Sequence, residues 1–85
     1  MPSKTVIVGS AVGLHARPAA IISEAAGDLD TDVTLAVPGG EPVDASSALL
    51  IMTLGAAKGD TVEVTGTDQG AVDKIAELVE QDLDA

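Results

Sequence analysis

The chain has 85 residues, enough for a single domain over residues 1–85. A chain this short buries only about 60–65% of its unfolded surface, which disfavours a deep enclosed active site. Without cysteine, phenylalanine, tyrosine or tryptophan it has no disulfides and no thiolate metal site, and its core must be aliphatic. Fourteen acids against four bases give a net charge of -10, which argues against nucleic acid and anionic membranes as partners.

In chain order, Met1–Thr5 lacks the apolar run of a signal peptide, and the longest apolar stretch, Ala48–Met52, is far short of a membrane span. Lys4–Val8 is β-branched and predicts a strand. Gly9–Leu14 reads as a loop. A helix is predicted from Ala16 to Ala26, stopped by Gly27, with Pro18 in its first turn. Its apolar stripe is Ala19, Ile22 and Ala26 with Ala20, widened by Ile21 and Ala25. Asp32–Val37 alternates and predicts a half-buried strand with Val33, Leu35 and Val37 inward. Pro38-Gly39-Gly40 predicts a hairpin turn, and Glu41–Val43 a short strand that Pro42 places at an edge.

Ser46 or Ser47 is expected to cap a short helix over Ala48–Met52. Gly55–Asp60 reads as a turn region. Thr61–Thr65 alternates, with Val62 and Val64 inward. After a turn over Gly66–Gly70, with Asp68 as a cap, a last helix is predicted over Ala71–Leu83 on the stripe Val72, Ile75, Ala76, Val79 and Leu83. The order βαββαβα gives an α+β class: one sheet, helices on one face, and Thr34, Glu63 and Thr65 on the solvated face.

Candidate chemistry concentrates in Gly13-Leu14-His15-Ala16-Arg17-Pro18-Ala19-Ala20, which holds the only histidine and the only arginine. A nucleophilic imidazole, a fixed positive charge and a helix start fall together. An anion there meets the positive end of the helix dipole and the free N–H groups of Ala16 and Arg17. The Arg17 guanidinium adds charge-assisted bonds. These groups suit the temporary holding of a phosphoryl group on His15. Residues 1–23 carry Lys4 and Arg17 and no acid; the first carboxylate is Glu24, and the series ends with Asp82 and Asp84. The segment around His15 is thus a local exception in an acidic chain. Self-repulsion on this scale points to a halophilic host, because salt screens it.

On this motif the chain resembles the HPr family, the histidine-containing phosphocarriers of the phosphoenolpyruvate-dependent sugar phosphotransferase system. Met52-Thr53-Leu54-Gly55-Ala56-Ala57-Lys58-Gly59 is similar to the family's second marked segment, and the resemblance covers the full length. It implies an open-faced β-sandwich of four antiparallel strands and three helices. It also implies that enzyme I phosphorylates His15, at Nδ1, and that His15 passes the group to a sugar-specific enzyme IIA. The chain would be a stoichiometric, monomeric, cytoplasmic carrier without cofactor or metal. By the same resemblance Ser47 falls where some bacterial relatives carry a kinase-phosphorylated serine, although Ala48-Leu49-Leu50 departs from the sequence of those relatives. Two further departures are the acidity, which shifts docking towards apolar contact, and one extra residue between Pro38 and Ser47. A regulatory binding module without phosphoryl transfer is the alternative; retention of both His15 and Arg17 favours the carrier.

Overall fold

A computed structural model of the chain describes residues 2–83. Strands β1 (Ser3–Ile7), β2 (Val33–Ala36), β3 (Val43–Asp44) and β4 (Thr61–Gly66) form one antiparallel sheet in the order β1-β4-β2-β3. Helices α1 (Ala16–Gly27), α2 (Ala48–Thr53) and α3 (Gln69–Glu80) complete an open-faced βαββαβα sandwich.

The period-2 geometry of strands decides which residues enter the core. Val6 pairs with Val62 and Leu35 with Val64, and all four are buried. One residue along, Thr5 pairs with Glu63 and Thr34 with Thr65 on the open face, where Thr5 and Glu63 are exposed and Thr34 and Thr65 half-buried. The helices close the other side with Ala19, Ile22 and Ala26 of α1, Ile51 of α2, and Val72, Ile75, Ala76 and Val79 of α3. Ala20, placed on the apolar stripe by its spacing, is exposed instead, and Pro18 is fully buried. Asp68 caps α3 by accepting from Ala71 N–H at 2.9 Å, and Ser47 rather than Ser46 caps α2.

Strands β1 and β2 and helix α2 lie within one residue of the expected bounds, and the larger differences, at β3 and α3, have physical reasons. The β2–β3 connection is longer than the Pro38-Gly39-Gly40 turn. Gly40 N–H does bond to Val37 O at 2.9 Å, but pairing resumes only at Val43, beyond Pro42, which lacks the N–H a ladder needs. Helix α3 starts two residues earlier than expected and stops at Glu80, because Gln81 turns extended (φ -76°, ψ 152°). Leu83 keeps its place against the core from the segment after Gln81 rather than from the helix. Asp84 lies outside the described residues.

Candidate functional site

The loop from Gly9 to Leu14 brings His15 to the head of α1. Gly13 takes φ 77°, and a Cβ there would lie 2.5 Å from Ala56 O and 2.8 Å from Ala57 Cα. Only glycine meets both demands, the left-handed backbone and the close approach of a second chain segment. Next to it Leu14 N–H donates to Ala56 O at 2.9 Å, and the Leu14 side chain is buried. The loop that carries the histidine is therefore fastened to the α2–β4 loop, the other segment singled out in the sequence.

His15 occupies the N-cap position of α1 with an extended backbone (φ -86°, ψ -167°), and its carbonyl accepts from Ala19 N–H at 2.8 Å. Serine, threonine or aspartate at this position would use its side chain to cap the helix. The imidazole does not cap, so it is left exposed and available. Ala16 and Arg17 are the first two helical residues and Pro18, the third, has no N–H. Two outward backbone donors, Ala16 and Arg17, thus sit directly after the imidazole, at the positive end of a twelve-residue helix. The Arg17 side chain is exposed, and among the described residues no carboxylate pairs with it. The first turn of α1 carries no acidic residue, and Arg17 is its one charged side chain.

His15 borders an open depression of about 240 Å³ lined by Val12, Leu14, Met52, Gly55, Ala56 and Ala57. Val12 is 58% exposed and Met52 36%, and the two leave an apolar rim beside the only histidine; Leu49, one turn before Met52 on α2, is 70% exposed. A shallow site with an apolar rim fits contact with another protein's surface better than enclosure of a small molecule. No cluster of three or more His, Cys, Asp or Glu suited to a metal ion exists among the described residues.

The other expected residues fall as follows. Ser47 Oγ accepts from Leu50 N–H at 3.3 Å, so its hydroxyl serves α2. Lys58 and Gly59 lie in the turn before β4, with Gly59 at φ 89°. Asp44, at the end of β3, is held below the usual carboxylate range, first by Ser46 N–H and then by the Ser46 hydroxyl, at 2.9 and 2.7 Å. Sequence reasoning missed Val12 as a wall of the site and Ser10 as a buried residue of the same loop. Val12 gives no pattern signal in a glycine-flanked loop, and Ser10 reads as an ordinary loop serine.

Comparison with known proteins agrees with this geometry. The family model described as "PTS HPr component phosphorylation site" matches residues 2–81. The phosphocarrier protein HPr of Streptomyces coelicolor is 39% identical, covering 99% of this chain and 94% of that protein. Phosphocarrier protein NPr of Escherichia coli K12 is 30% identical over 89% of this chain and 84% of its own length. Among solved structures, the phosphocarrier protein HPr from Bacillus anthracis superposes with a TM-score of 0.84 at 30% identity, covering 92% of this chain and 95% of that one. HPr-C-His from Thermoanaerobacter tengcongensis reaches 0.88 at 26% identity, covering all of this chain and 98% of that one. With the sheet order, the histidine at the N-cap position of α1 and full-length similarity in agreement, the chain belongs to the HPr family of phosphocarrier components of the phosphotransferase system.

Proposed function

We propose that His15 accepts a phosphoryl group from phospho-enzyme I, charged by phosphoenolpyruvate, and donates it to a sugar-specific enzyme IIA. The observation that carries this reading is the N-cap histidine whose side chain takes no part in capping. A neutral ring nitrogen attacks phosphorus in line; the N–P bond forms as the donor's bond to phosphorus breaks, and the donor leaves with that electron pair. The resulting dianion lies at the head of α1, where Ala16 and Arg17 N–H and the Arg17 guanidinium can donate hydrogen bonds to it. The imidazole is restored when the group moves on, so the chain is a stoichiometric carrier rather than a turnover enzyme. The apolar rim of Val12 and Met52 beside His15 supports docking of both partners on one surface, which a carrier needs. The compartment is then the cytoplasm, where phosphoenolpyruvate is supplied, and the working form a monomer. Ser47 enters only as a site of regulation: a phosphoryl group there would add charge at the head of α2, in place of the hydroxyl that now accepts from Leu50.

The test is transfer itself. The chain is phosphorylated with enzyme I and phosphoenolpyruvate, separated from both, and mixed with an enzyme IIA domain. The label should move to enzyme IIA and free the chain for a second round. A chain that takes label but gives none to any enzyme IIA of the same cell would contradict the carrier reading.

A further inference from the structure

Ser10 is the only buried polar residue among those described, with none of its surface exposed. Its hydroxyl donates to Gln81 O at 3.2 Å and accepts from Leu83 N–H at 3.2 Å, bonds that span 71 and 73 positions of sequence. These bonds hold the segment that leaves α3 against the loop before His15. The same loop touches that segment through backbone: Gly9 N–H donates to Val79 O at 3.1 Å, and a Cβ on Gly9 would lie 1.8 Å from Glu80 O. Ser10 is also the first residue of the turn that delivers the histidine, since Ser10 O accepts from Gly13 N–H at 2.9 Å. The turn therefore has two anchors. One is the α2–β4 loop, through Leu14 N–H and Ala56 O; the other is the segment after α3, through Ser10.

From this arrangement we propose that Ser10 is a positioning residue for His15: its hydroxyl latches the segment 81–83 onto the histidine loop and so fixes the pose of the imidazole. A turn held at one point pivots about it; a turn held at two does not. The Ser10 hydroxyl contributes side-chain bonds to this pair of anchors, and substitution can remove them without touching the backbone bonds. The inference rests on the phosphocarrier reading only for its kinetic arm.

The test compares Ser10→Ala, Leu83→Pro and the double variant, all in the full chain. Leu83→Pro removes the N–H that Ser10 accepts; Leu83→Ala, which shortens the side chain but keeps the N–H, is its control. The readouts are kcat and KM for phosphorylation by enzyme I, melting temperature, and amide NMR shifts of Gly13, Leu14 and His15. Ser10→Ala and Leu83→Pro should each lower kcat about 3–10-fold with KM nearly unchanged, below the ~100-fold that a full 1 Å misplacement produces. The double variant should fall no further than the lower single, because both break one latch. The shifts should reach His15. A lower melting temperature with unchanged kcat at 25 °C would reduce Ser10 to a structural residue and overturn the proposal, as would additive losses in the double variant. Should Ser10→Ala fail to fold, Ser10→Cys keeps a weak donor and acceptor in similar volume and must fall between the parent and Leu83→Pro. If the parent chain takes no label from enzyme I, the carrier reading fails by itself. The NMR arm then decides: shifts extending to His15 sustain the latch, and shifts ending before Gly13 refute it.

Discussion

Replacing Gly13 by alanine tests whether the histidine loop is locked to the α2–β4 loop as described. The left-handed backbone costs an L-residue about 1–2 kcal/mol, offset by about 0.4–1 kcal/mol from a stiffer unfolded chain. At Gly13 a Cβ also meets Ala56 O at 2.5 Å and Ala57 Cα at 2.8 Å, both of them backbone. Forcing that contact apart adds about 1–3 kcal/mol, as in overpacked cores. Gly39 is the internal control: its φ of 78° matches the 77° of Gly13, but a Cβ there meets nothing within 4 Å. In a domain of this size each kcal/mol lowers the melting temperature by about 4–8 °C. Gly13→Ala should therefore melt roughly 5–20 °C below Gly39→Ala, a difference that isolates the close approach from the backbone conformation. Thermal unfolding by circular dichroism in one buffer reads both. Equal melting temperatures for the two variants would refute the locked loop.

Arg17→Ala should slow phosphoryl transfer in both directions by about 10–100-fold, the rate equivalent of a charge-assisted bond of roughly 1.5–3 kcal/mol, with the melting temperature unchanged; unaltered kinetics would leave the phosphate to the backbone N–H groups alone. Asp68→Ala removes the cap of α3 and should cost about 1 kcal/mol in chemical denaturation, whereas an unchanged midpoint would mean that water caps Ala71 N–H equally well. Because Asp44 is depressed in the folded chain by Ser46, its small stabilising contribution is present above the unfolded value near 3.8 and is lost as pH falls through the lower folded value. Asp44→Asn should then flatten the acid limb of stability below pH 4, a pH-dependent difference that a purely steric change would not produce. Finally, neither α1 nor α3 carries a base in its last turn, while Glu24, Glu77 and Glu80 face the negative helix ends. The melting temperature should rise steeply with potassium chloride between 0.1 and 2 M, as the Debye length falls from ~10 Å to below ~3 Å; indifference to salt would remove the halophilic reading.

Much of this molecule is legible in its sequence, because its signals are local. Alternation at Val33 and Leu35, and at Val62 and Val64, identifies two core strands, and Asp68 and Gly13 mark a cap and a turn. The candidate site is legible for the same reason: His15, Ala16 and Arg17 are consecutive, so one helix start assembles them. What local pattern misses depends on distant partners. Leu83 keeps the spacing of the α3 stripe, four positions after Val79, yet the helix has already ended where Ser10 holds the chain. Ala20 has a good helical position and faces solvent, since α1 is narrower on its buried side than its composition suggests. Val12 becomes a wall of the site only because the Ala56 segment folds against the loop that carries it.

The most direct test of the central claim is to map the phosphoryl group after incubation with enzyme I and phosphoenolpyruvate. The account predicts one phosphate per chain, labile in acid and stable in base, located on His15 and absent from His15→Ala. An acid-stable phosphate, or label that persists in His15→Ala, would contradict it.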